Sequence, residues 1–155
     1  MEKKKTLVIA GIIIAALIGI GINMTSIKST TDTITSNDKP MLLHIHPRLY
    51  LNVDEKPYFV PQNVGIDSDL WKDHTLDQYG MKGMAPLHTH TADGMIHVES
   101  TMIRNYTLGE FLDIWGLDLN GKTISVAVDG EPISYYRNHI LKNEESIIMN
   151  ITSTH

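Results

Sequence analysis

The chain has 155 residues, 20% of them charged and 42% hydrophobic, which excludes both bulk disorder and a multi-span membrane protein. Its formal charge of −5 at pH 7 argues against nucleic acid or an anionic lipid surface as a partner. There is no cysteine, so disulfide staples and thiolate metal sites are excluded, and any metal ligands are imidazole, carboxylate, thioether or backbone oxygen.

Glu2, Lys3, Lys4 and Lys5 precede an apolar stretch over residues 7–22 that is broken only by small glycines. A cleaved signal peptide has an apolar region of roughly 7–15 residues followed by a small-x-small site, whereas a full span needs about 17–25 residues. This run sits at the boundary and lacks a clear Ala-x-Ala, which predicts an uncleaved signal anchor, a transmembrane helix over residues 1–23. Three lysines before it, against Lys28 and Lys39 just after, place the amino terminus in the cytoplasm. The expected location is a single-pass protein of the cell membrane with its carboxyl-terminal domain extracytoplasmic. Residues 24–40, MTSIKSTTDTITSNDKP, have almost nothing to bury and read as a flexible stalk. Residues 41–155 are then one small domain.

That domain opens with LLHIHPRLYLNV, the polar turn Asp54, Glu55 and Lys56, and PYFVP. Leu43, Ile45, Leu49, Leu51 and Val53 alternate with His44, His46, Arg48, Tyr50 and Asn52, the period of a half-buried strand in a hairpin. His44 and His46 leave it on the face away from the aliphatic side, and Pro47 bends the strand or marks an edge. Arg48, Tyr50 and Asn52 share that face, either as solvated groups or to orient an anion beside a metal. Residues 62–85 read as an irregular, Asp- and Gly-rich loop carrying Trp71, His74, Met81 and Met84.

PLHTHTADGMIHVES is the most informative segment. Asp93-Gly94 is a favoured two-residue turn pair, which predicts a tight hairpin of residues 87–92 and 95–100. In that register His90 lies opposite His97 and His88 opposite Glu99, all on one face. A four-residue loop would instead pair His90 with Met95 and weaken the cluster. Residues two apart on a strand are roughly 6.6 Å apart and cross-strand Cβ atoms about 4.5–5.5 Å, so three imidazoles can converge on one ion. His88, His90 and His97 are the expected core ligands, with His44 and His46 added if the hairpins adjoin. Glu99 is a fourth ligand or an acceptor that fixes a histidine tautomer.

Thr107-Leu-Gly-Glu110 is a capping-box pattern, and it opens the apolar-spaced run Leu108, Phe111, Leu112 and Trp115 before Gly116. This predicts a short helix covering the aliphatic face of the sheet. ISVAVDGEPIS repeats the hairpin pattern around Asp129-Gly130, and SIIMNI reads as a last buried strand. The fold expected is α+β, one mixed sheet built from hairpins with a short helix packed on it.

Two resemblances follow. The helix and the ending VDGEPI…ILKNEESIIMNI resemble β-grasp domains of the ubiquitin and sulfur-carrier kind over the last third of the chain. The Gly-Gly carboxyl terminus of those carriers is lacking, so conjugation and sulfur transfer are not implied. HIHPRLYLNV, APLHTHTADGMIHVES, YTLGEFLDIWG and the VDGEP hairpin resemble a family of small exported or membrane-anchored proteins of archaea and bacteria. That resemblance implies that His44, His46, His88, His90, His97 and Glu99 form one recurring pattern, and supplies no reaction.

Imidazole without thiolate suits Zn(II) or Cu(II) outside the cytoplasm. The expected function is therefore an extracytoplasmic metal-binding protein. An alternative is a zinc-dependent hydratase or hydrolase with a three-histidine set like that of carbonic anhydrases, and a second is an accessory interaction module of a membrane complex. Met95 and Met102 read as core fillers before copper ligands, and His74, His139 and His155 as ordinary surface histidines.

Overall fold

The computed structural model describes residues 39–153. The apolar segment expected to form a transmembrane helix, and all but the last two residues of the stalk, lie outside them. Among the described residues no helix is long and apolar enough to cross a membrane.

The single mixed sheet expected from the hairpin pattern does not form; the chain builds two sheets. Pro47 is the physical reason. It cannot donate to a ladder, and the run read as one strand is cut around it into β1 (Leu43–Ile45) and β2 (Arg48–Val53), which belong to different sheets. The smaller sheet has the order β1-β5-β4, with β4 spanning Leu87–His88 and β5 spanning His97–Ser100. The larger has the order β3-β2-β8-β6-β7, with β3 at Lys56–Tyr58, β6 at Lys122–Val128, β7 at Glu131–Ile133 and β8 at Ser146–Ser153. The β-grasp likeness drawn on the last third alone also needs correcting, because two of these five strands come from residues 48–58.

The larger sheet is held by its central parallel pair. Leu49, Leu51 and Val53 of β2 lie beside Ile147, Met149 and Ile151 of β8, and β6 pairs antiparallel on the other side of β8. Alternation puts Leu49, Leu51, Ile147, Met149 and Ile151 in the core and exposes Tyr50, Ile148 and Asn150. Both hairpins of this sheet turn through two residues of positive φ, Asp54-Glu55 and Asp129-Gly130, the backbone that a two-residue connection matched to strand twist requires. Its outermost strands carry Pro57 and Pro132, residues a central strand would not accept.

The helix α1 (Leu108–Trp115) forms where its local signals place it. Thr107 Oγ1 accepts from the Glu110 amide at 3.3 Å, Glu110 Oε2 accepts from the Thr107 amide at 2.8 Å, and Gly116 closes the helix at φ 73°. It buries Leu108, Phe111, Leu112, Ile114 and Trp115. It packs against β4 and the turn Tyr136–Asn138, so one core joins the helix to both sheets. Residues 62–85 are irregular as expected, with two short 3-10 turns, Ser68–Leu70 and Asp77–Tyr79.

Candidate metal centre

The smaller sheet carries the histidines. Its middle strand β5 presents His97 and Glu99 on one face, and each faces a histidine across a ladder: His44 of β1 pairs with Glu99, and His88 of β4 pairs with His97. The predicted pairing of His88 with Glu99 and of His90 with His97 is therefore wrong by two residues. The connection is the longer one, in which Leu87 meets Val98 and β4 ends at His88. The expectation that this loop weakens the cluster also fails. Side chains alternate with period two, so a two-residue slip returns every histidine to the same face.

The loop is pinned on both sides. Thr89, buried between His88 and His90, donates to the Pro61 carbonyl at 2.7 Å and accepts from the Val64 amide at 3.0 Å. At the turn, Asp93 takes the Arg48 guanidinium at 3.0 Å and the Gly94 carbonyl accepts from the Leu49 amide at 2.8 Å, anchoring the loop to β2. Arg48 is thus committed to the turn, and Asn52 donates to Asn150 in the larger sheet. Both side chains are engaged within the scaffold. His46, just beyond β1, is fixed through its backbone, the amide donating to Asn143 at 2.9 Å and the carbonyl accepting from Glu144 at 3.1 Å.

All five histidines converge with Glu99. Two overlapping groups bring their donor atoms within 4.8 Å of one another: His44, His46, His97 and Glu99, and His88, His90, His97 and Glu99. Two ligands bound at 2.0–2.1 Å with a tetrahedral angle between them are separated by about 3.3 Å. His88 Nε2 and His90 Nε2 are 3.2 Å apart. Glu99 Oε1 is 3.2 Å from His44 Nε2 and 3.4 Å from His97 Nδ1. Donor atoms at these separations could hold one ion.

The protonation states suit ligation. His88 is fully buried and burial lowers its pKa to about 4, against a smaller raising contribution from its hydrogen bond to Ala85 and from the Glu99 charge. His97 is lowered chiefly by burial, then by His90 and His46 beside it. Both imidazoles are neutral at pH 7. His88 Nδ1 lies 2.9 Å from the Ala85 carbonyl, which only accepts, so the proton is on Nδ1 and the Nε2 lone pair faces His90. His97 Nδ1 is buried, and its polar neighbour is Glu99 Oε1 at 3.4 Å, too poorly aligned for a good hydrogen bond.

The Ala85 carbonyl is the contact that sequence reasoning misses, since a backbone oxygen three residues before a histidine carries no signal. Of the histidines read as ordinary, His74 pairs with Asp77 at 2.9 Å beside Trp71. His139 is not a plain surface residue: its Nε2 lies 3.0 Å from the buried Glu145 carboxylate. His155 lies outside the described residues. Comparison of the chain with family models, with curated proteins and with solved structures returned no match.

Proposed function

We propose that this chain is a metal-binding protein that works outside the cytoplasm, holding Zn(II) or Cu(II) for storage or delivery. His88, His90 and His97 are the core ligands, Glu99 completes the set, and His44 and His46 join them from β1 and the residue beyond it. The observation that carries this reading is the 3.2 Å separation of His88 Nε2 and His90 Nε2, with the Ala85 carbonyl holding the His88 proton on the opposite nitrogen. An imidazole and carboxylate set without thiolate or a built oxygen cage suits zinc and copper over calcium or magnesium. The lysine-flanked apolar stretch at residues 7–22 supports membrane attachment with the remainder of the chain outside.

The test is elemental analysis of the full-length chain, purified without a histidine tag and dialysed exhaustively. Zinc or copper retained at one equivalent or more is expected; a chain that holds neither metal after reloading contradicts the proposal.

A second reading, zinc-dependent hydration of carbon dioxide or hydrolysis, is favoured by the exposure of the ligands. His90 is exposed and the His44 side chain is 48% accessible, so a position on the ion is open to water. Carbon dioxide hydration by the zinc-loaded chain, lost on chelation, distinguishes catalysis from storage.

A further inference from the structure

The two groups of donors overlap only at His97 and Glu99, and Glu99 stands between them. Its Oε1 faces the first group, at 3.2 Å from His44 Nε2 and 3.4 Å from His97 Nδ1. Its Oε2 faces the second, at 4.0 Å from His88 Nε2. We infer that the site holds a pair of divalent cations bridged by the Glu99 carboxylate. This deepens the metal-binding reading and rests on it.

Five imidazoles and a carboxylate make six donors, more than the four that structural zinc almost always takes or the five to which catalytic zinc expands. The rings line up on either side of His97: its centroid is 4.7 Å from that of His46 and 4.6 Å from that of His90, with His44 4.4 Å beyond His46 and His88 4.8 Å beyond His90. One ion then takes His44, His46, His97 Nδ1 and Glu99 Oε1, a complete set of four, so His97, which a single ion would share with His88 and His90, serves the first ion of the pair. The other takes His88 Nε2, His90 Nε2 and Glu99 Oε2, a two-histidine, one-carboxylate set that leaves one position for water. A carboxylate that offers one oxygen to each ion offsets the repulsion between two dications, and paired ions of this kind lie about 3.5–4 Å apart.

The strand register explains why the pair forms here. Glu99 is on the middle strand, with β1 on one side and β4 on the other, so its two oxygens reach histidines delivered by different neighbours. A glutamate on an edge strand has a neighbour on one side only.

Native mass spectrometry of the full-length chain titrated with zinc tests this. Two zinc ions per chain are expected, falling to one in His44→Ala and one in His90→Ala, both exposed positions whose substitution leaves the core intact. The wild-type count alone decides the matter if a variant misfolds. A wild-type chain that saturates at one zinc overturns the pair and leaves the metal-binding reading standing, whereas a chain that binds none overturns both. Loading with copper(II) gives a second readout. Magnetic coupling between two copper ions in the electron paramagnetic resonance spectrum, lost in Glu99→Gln, supports the bridge; an uncoupled spectrum at full loading overturns it.

Discussion

Acidifying the metal-free protein tests the buried state of His88. Burial holds this imidazole at a pKa of about 4, against 6.5 in an unfolded chain. The unfolded chain therefore takes up a proton between those values that the folded chain refuses. Stability is insensitive to this group above pH 6.5 and falls as the pH drops from 6.5 toward 4. The whole interval is worth about 3 kcal/mol, of which about 2 kcal/mol is lost by pH 5. Urea unfolding of the EDTA-stripped chain, followed by tryptophan fluorescence at pH 7.5 and pH 5, reads the loss as a lower midpoint at unchanged slope. His97, lowered in the same direction, adds to it. His88→Gln removes the titrating group, so its stability falls less over the same range. An equal fall in wild type and His88→Gln refutes the reasoning.

Thr107→Ala removes the hydroxyl that caps the Glu110 amide and is expected to cost about 1 kcal/mol, read as a lower thermal midpoint. Gly94→Ala is expected to cost about 2 kcal/mol or more by urea unfolding, because a Cβ there collides with the Leu49 carbonyl oxygen and the residue has φ +81°. Because the loop carrying His90 is anchored by the Leu49 amide on the Gly94 carbonyl, Gly94→Ala also weakens zinc affinity in a competition titration with a chelating dye. Zinc at about a hundredfold over its dissociation constant adds about 2.7 kcal/mol to the stability of the loaded protein, and EDTA reverses the gain in a thermal melt.

What the sequence discloses about this molecule is what is local. Thr107, Glu110 and Gly116 specify α1 within ten residues, and Asp129-Gly130 specifies its turn through two residues of positive φ. The partnership of β2 with β8 joins residues about a hundred positions apart, and that of β1 with β5 more than fifty, and no periodicity names a distant partner. Pro47 was visible as a bend, but whether the chain then stays in its sheet or leaves it depends on which strands compete for its two sides. The site was easier to read than its own register. Alternation fixed the face on which His44, His88, His97 and Glu99 lie, and face survives a slip of two residues where pairing does not. The role of the Ala85 carbonyl, and the seating of His139 on Glu145, arise from packing alone.

X-ray absorption at the zinc edge of the loaded full-length chain probes the site most directly. A shell of nitrogen and oxygen at about 2.0–2.1 Å with the outer scattering of several imidazoles is expected, diminished in His88→Ala, His90→Ala. A spectrum of hydrated zinc without imidazole scattering, unchanged by those substitutions, contradicts metal binding by these histidines.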